Sequence, residues 1–217
     1  MAISLKTKKE NAKKIIDILK NTYPDAKCSL DFSKPFEMVV AVMLSAQCTD
    51  ERVNLTTPAL FKRCPEISDY VNIDIKELEN LIHPCGFYRN KAKNIKTCAN
   101  QVLNDFNGIV PNNMDDLLTL AGVGRKSANV ILLEVYGIAN GIAVDTHAKR
   151  ISNKMGLSNE SDPSKIEADL IKIFDKDDLK FINHLFVWHG RNTCTARNPK
   201  CSNCTVKEFC KYNSSLK

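Results

Sequence analysis

Gly122-Val-Gly-Arg-Lys126 runs directly into Ser127-Ala-Asn-Val-Ile-Leu-Leu133, and the preceding Met114–Leu120 carries helical spacing. A tight Gly-x-Gly turn entering a helix aims backbone N–H groups and the positive end of the helix dipole at one spot, which suits a phosphate oxygen. Two commoner glycine motifs fail on these residues. A nucleotide P-loop needs glycine immediately before its lysine, where Arg125 stands, and the upstream spacing is wrong. The dinucleotide fingerprint needs a preceding strand and a third glycine, and here a helix precedes and Ser127 takes the glycine position. Helix, glycine hairpin, helix is the arrangement left.

Such an element contacts backbone phosphates of DNA without reading sequence, with Gly122, Gly124 and Arg125 at the phosphate. Lys126 lies in the first helical turn behind it. Most lysines are solvated surface charges, but an amine held beside a bound phosphate is a candidate nucleophile. A lysine amine of pKa about 10.4 is neutral in only about one molecule in a thousand at physiological pH. Nucleophilic attack therefore asks for a change of roughly 4 kcal/mol, and a helix N-terminus supplies only about 0.3–1 kcal/mol. Desolvation in a pocket closed by substrate has to supply the remainder.

Working outward, the apolar spacing is helical throughout. Phe36–Leu44 is apolar on every side and belongs at a buried centre, with Ser33 as its expected cap and Pro35 in its first turn. Further helices are expected at Lys8–Lys20, Glu51–Phe61, Ile75–Leu81, Lys91–Phe106, Met114–Leu120, Arg125–Tyr136, Thr146–Met155, Pro163–Ile173 and Lys180–Gly190. Ile142-Ala-Val144 is the one strand-like run and is too short to carry a sheet. The fold class is all-α.

The chain has 217 residues and a formal charge of +6, an anion-favouring surface. No apolar run approaches the roughly 18–20 residues of a membrane span, and the basic opening Met1-Ala-Ile-Ser-Leu-Lys6 leads into an amphipathic stretch and not a signal-peptide core. A cytoplasmic protein is expected.

Nine cysteines, an odd number, argue against a disulfide framework. Cys194, Cys201, Cys204 and Cys210 crowd together with six, two and five residues between them, which signals a metal site. Zinc fingers pair two close-spaced sets and only one is present, so thiolate chemistry alone leaves zinc and an iron–sulfur cluster equally open. Arg197 and Lys200 lie on the six-residue loop, where they can meet phosphates or simply be solvated. Asp145, in Val144-Asp-Thr-His147, stands at the mouth of a helix. It reads as an N-cap and as a fixed negative charge that would stabilise positive charge developing on a sugar.

These motifs together resemble the endonuclease III family of DNA glycosylases. The resemblance spans about Phe32 to Cys210 and rests on Leu44-Ser-Ala-Gln-Cys-Thr-Asp50, Gly86-Phe-Tyr-Arg-Asn-Lys-Ala92, Leu120–Val130, Val144-Asp-Thr-His147, His189-Gly-Arg191 and the cysteine array. It implies two helical lobes with a DNA cleft between them: residues 28–139 as a six-helix lobe with the hairpin, and 1–27 plus 140–217 as a lobe holding a [4Fe–4S] cluster. It implies Lys126 as nucleophile, Asp145 as its catalytic partner, and the four cysteines as cluster ligands. Gln47 matches the residue that enters the gap left by an extruded nucleotide, and Phe87 and His147 match other gap-lining or DNA-facing positions.

The implied activity is excision of oxidised pyrimidines through a lysine Schiff base, followed by β-elimination 3′ to the abasic site. The expected partner is double-stranded DNA carrying damaged pyrimidines or abasic sites, met by a monomer away from membranes and, in a prokaryote, at the nucleoid. Two departures stand out: Ala121 takes the place of the usual hairpin proline, and Phe87 that of a smaller aliphatic residue. An adenine glycosylase of the same superfamily lacks the hairpin lysine and carries a large C-terminal recognition domain. A non-catalytic iron–sulfur DNA-binding module would not need both Lys126 and Asp145.

Overall fold

The computed structural model describes residues 4–215; Met1–Ile3 and Leu216–Lys217, at the two ends of the expected cluster lobe, lie outside them. Among the described residues there are helices and turns and no strand. The chain divides into two compact units. One is Ser29–Ile138, and the other takes the chain up to Cys28 together with everything from Ala139 onward.

The Ser29–Ile138 unit is built around α2 (Pro35–Ser45), in which every residue from Phe36 to Leu44 except Glu37 is buried. Each such side chain removed from water is worth about 1.5–3 kcal/mol, so this run sets the centre of the unit. Ser33 is not its cap. The Glu37 carboxylate reaches back to accept the N–H groups of Ser33 at 2.7 Å and Lys34 at 3.1 Å, which closes the first turn from inside the helix.

Around α2 stand α3 (Asp50–Arg63), α5 (Ile75–Ile82), α6 (Tyr88–Asp105), α7 (Met114–Thr119) and α8 (Arg125–Tyr136). A further helix, α4 (Ile67–Asn72), joins them and makes the unit one helix larger than the six read from apolar spacing. Six residues are too few to show a period, and α4 is held by a local device: the Asp69 carboxylate accepts the Glu66 N–H at 2.8 Å. α4 then packs along α6.

The second unit packs α1 (Leu5–Thr22), α9 (Thr146–Met155), α10 (Pro163–Ile173) and α11 (Leu179–Asn192) around a core that includes Ile15, Ile16, Leu19, Ile151, Leu170 and Phe186. The extended run Ile142–Val144 is buried in this unit without a strand partner. Side chains satisfy its backbone instead: Ile142 N–H donates to the Glu167 carboxylate at 3.1 Å, and the Asn183 amide donates to Ala143 C=O at 2.5 Å. The residue that follows this rigid lead-in is Asp145.

Candidate active site and cluster site

The hairpin between α7 and α8 is held from two directions. Val123 N–H bonds Leu120 C=O at 3.1 Å across the turn. From α6, the Gln101 amide accepts from Ala121 N–H at 2.8 Å and donates to Thr119 C=O at 3.0 Å, gripping the backbone on both sides of Leu120. Gly122 has φ +79°, and a Cβ there would stand 3.0 Å from Asn94 Cβ, so both its conformation and its approach to α6 exclude a side chain.

Gly124 is different. Its φ of −101° suits any residue and a Cβ would meet nothing within 4 Å, so the fold itself does not ask for glycine there. As the N-cap of α8 it contributes no side-chain acceptor to the first turn, and Arg125 and Lys126 follow it exposed. No cap side chain closes this helix start.

In the other unit α9 begins with the opposite arrangement. Asp145 is its N-cap, and Oδ1 accepts the Ala148 N–H at 2.7 Å. His147, one turn in, meets the Arg150 guanidinium through Nδ1 at 3.1 Å. Because a guanidinium only donates, Nδ1 is the acceptor and the ring proton sits on Nε2. Arg150 also donates to Gly190 C=O at 3.2 Å and through two nitrogens to Cys194 C=O at 3.1 and 2.9 Å. Gly190 makes room for this pair: a Cβ there would collide with His147 Nδ1 and lie 2.8 Å from Arg150 Nη2.

The structure also gathers three expected DNA contacts on the Ser29–Ile138 unit. Gln47, Phe87 and Gly122 line one depression of about 230 Å³, together with Asn90, Lys91 and Asn94. Gln47 follows α2 with φ +55°, and Phe87 precedes α6 with φ +47°. Only a few per cent of non-glycine residues adopt this region, and each such residue stores on the order of 1–3 kcal/mol. Phe87 is 64% exposed, a large apolar ring turned to solvent at a strained position. Asn90 and Lys91 fall inside the Gly86–Ala92 motif without a role assigned to them there, and Asn94 lies outside it. Lys91 carried a signal nonetheless, since it falls on the buried stripe of α6 with Ile95, Cys98 and Val102.

Cys194, Cys201, Cys204 and Cys210 line one cavity, together with His189 and the lysines Lys154, Lys200 and Lys207. Thr193 C=O accepts Lys200 N–H at 2.9 Å and Asn198 C=O accepts from the Thr195 hydroxyl at 2.6 Å, closing the loop that carries exposed Arg197 and Lys200. Burial pushes the Cys194 and Cys204 thiols up, so without a metal these sulfurs favour the protonated form. A single tetrahedral zinc would draw its sulfurs to about 3.8 Å of one another. Among the described residues no three ligating side chains converge on a single-ion site. Four cysteines around a cavity suit a group with volume.

His189 backs this cavity. Burial lowers its pKa to about 4, and the ring is neutral at physiological pH. Tyr23 O–H meets Nδ1 at 3.1 Å, which leaves Nε2–H facing the Cys204 sulfur at 3.7 Å.

The open helix start behind a glycine hairpin defines a helix-hairpin-helix protein of base excision DNA repair: the HhH-GPD superfamily base excision DNA repair protein model matches residues 40–176. A second model, the iron-sulfur binding domain of endonuclease III, matches residues 194–210, from the first cysteine of the array to the last. The chain belongs to the endonuclease III family. It is 48% identical over 204 residues to endonuclease III of Synechocystis sp., covering 94% of this chain and 93% of the relative. A solved non-covalent endonuclease III–DNA complex aligns with a TM-score of 0.91 and 37% identity, covering 96% of this chain and 97% of that one. A trapped endonuclease III–DNA covalent intermediate aligns with the same score and identity, covering 96% and 98%.

Proposed function

We infer that this chain is a bifunctional DNA glycosylase and AP lyase of base excision repair, acting on oxidised pyrimidines and abasic sites in double-stranded DNA. The observation that carries this is the exposed lysine at an uncapped helix start behind the glycine hairpin, in a chain 37% identical to an endonuclease III trapped covalently on DNA. A cytoplasmic, nucleoid-associated protein follows from that substrate in a prokaryote.

The helix start and the bare Gly124 backbone hold a phosphate, with Arg125 beside it, and set the sugar of the extruded nucleotide against Lys126. The Lys126 amine attacks C1′, the C1′–N bond breaks and the base leaves with the electron pair. Loss of water-exposed surroundings on substrate binding keeps the amine deprotonated for this step. Asp145 commits Oδ1 to its cap bond, and its fixed negative charge stabilises the cationic character at C1′. The nitrogen then loses a proton and the C1′–O4′ bond breaks, opening the sugar ring to an imine with O4′ taking up a proton; the imine acidifies C2′–H, and loss of that proton expels the 3′ phosphate and nicks the strand. Hydrolysis of the imine returns the lysine.

Cys194, Cys201, Cys204 and Cys210 would hold a [4Fe–4S] cluster. When bound, it fixes the loop of Arg197 and Lys200 at both ends, and those two cations add phosphate contacts. Gln47 and Phe87, which line one depression, would contact the duplex at the gap left by the extruded nucleotide, and His147 is a further proposed DNA contact.

Borohydride trapping tests the reading. The parent protein, mixed with a duplex carrying thymine glycol or an abasic site, forms a covalent adduct on reduction. Lys126→Gln forms none and loses about a thousandfold or more in turnover, while still binding the duplex. A persistent adduct in that variant removes Lys126 from the nucleophile's role.

A further inference from the structure

Lys91 is buried, 7% exposed, on a helix of a protein in which lysines are otherwise abundant at the surface. Its ammonium donates to two main-chain oxygens from different parts of the fold: Leu44 C=O, in the last turn of α2, at 2.8 Å, and Cys85 C=O, at the end of the 3₁₀ turn His83–Cys85, at 2.9 Å. Leu44 lies three residues before Gln47, and Cys85 two residues before Phe87. Both of those residues sit in the left-handed region, and both line the depression that Lys91 also lines.

Strained turns persist only where the surroundings over-determine them. Here one ammonium joins the two segments that enter them. The Lys91 backbone adds a third link, since its N–H donates to Phe87 C=O at 3.1 Å as the first bond of α6. A cation also complements the carbonyl end of α2. Burial lowers the pKa of this amine, and no carboxylate is among the groups that oppose the shift. A methionine or leucine would fill the same volume at less cost if packing were all the site required.

We propose that Lys91 is a positioning residue for DNA, joining the two turns so that Gln47 and Phe87 project together as a rigid wedge into the gap of the duplex. This rests on the assignment of Gln47 and Phe87 to that gap. Extrusion of a paired nucleotide needs the wedge, whereas chemistry at Lys126 on an already unpaired sugar does not. The two demands separate on two substrates.

Lys91→Met and the parent are compared by single-turnover cleavage of a thymine glycol duplex and of a single-stranded abasic oligonucleotide. Lys91→Met loses about tenfold or more on the duplex and stays within about a factor of two on the single strand. In a Gln47→Ala, Phe87→Ala background the same substitution costs little further on the duplex, because what it positions is gone. Should Lys91→Met fail to fold, Lys91→Arg carries the test: the larger group displaces one turn, and a duplex-only loss of about threefold is expected. Equal losses on both substrates, no loss on either, or a full additional loss in the double-alanine background overturns the proposal. A parent inactive on both substrates removes the enzymatic reading and this inference with it.

Discussion

α8 opens on Gly124, which brings no side chain to its first turn, whereas α9 opens on Asp145, whose carboxylate accepts the Ala148 N–H at 2.7 Å. The two helix starts share the same backbone chemistry, unpaired N–H groups and a positive dipole end. One is satisfied from within the chain and its carboxylate is thereby fixed in place. The other has no cap side chain, and Lys126 in its first turn carries an amine. A cap therefore does more than stabilise a helix: its presence fixes a negative charge, and its absence is what the proposed phosphate contact requires.

The largest effect that can break this comparison comes from Asp145, because two substitutions divide its two roles. Asparagine caps a helix about as well as aspartate, but carries no charge. Asp145→Asn should keep the melting temperature and lose about a hundredfold in glycosylase turnover. Asp145→Ala should lose turnover to the same degree and about 1 kcal/mol of stability as well. Thermal melts beside single-turnover rates read both. If Asp145→Asn turned over at the parent rate, Asp145 would be a cap and nothing more, and the contrast with α8 would carry no catalytic meaning.

The glycines of the hairpin sharpen the other side. Gly122→Ala forces a side chain into φ +79° and against Asn94, and should destabilise the protein by roughly 1–2 kcal/mol. Gly124→Ala meets no neighbour and should leave stability within about 0.5 kcal/mol. Its methyl instead obstructs the approach of a phosphate, and duplex affinity should fall about threefold to tenfold. Denaturant melts and fluorescence-polarisation binding separate the pair. Unchanged DNA affinity for Gly124→Ala would mean that the open start of α8 is not where phosphate sits.

What could be read in the sequence follows from how local each cause is. α2 was legible because eight apolar residues within nine positions have nowhere to go but inside. The cysteine array was legible from spacing, and the hairpin from two glycines and the helix behind them. α4 was not, since six residues show no period and its capping carboxylate looks like any surface aspartate. Ser33 looked like a cap because serine prefers that role, but Glu37 supplied the acceptor from three positions inside the helix. The strain at Gln47 and Phe87 was invisible for a deeper reason. Neither residue type favours positive φ, so their conformation comes from packing, and Lys91, whose bond to Leu44 C=O spans 47 residues of sequence, is part of that packing.

The smallest expected effect concerns how the two kinds of phosphate contact differ. A backbone N–H at the start of α8 would, on the proposed reading, bind phosphate as a dipole, without adding a cation that displaces counterions from DNA. Arg197 and Lys200, on the proposed reading, would bind as charges. Replacing both with alanine should flatten the slope of log affinity against log salt by about 1.8, which is two contacts at about 0.9 each. Gly124→Ala should weaken binding by a similar factor at one salt concentration and leave the slope where it was. Binding titrations over a range of salt concentrations distinguish the two. A flattened slope for Gly124→Ala would show that the hairpin works through the charge of Arg125 or Lys126, and an unchanged slope for the double substitution would assign the cysteine loop to structure alone.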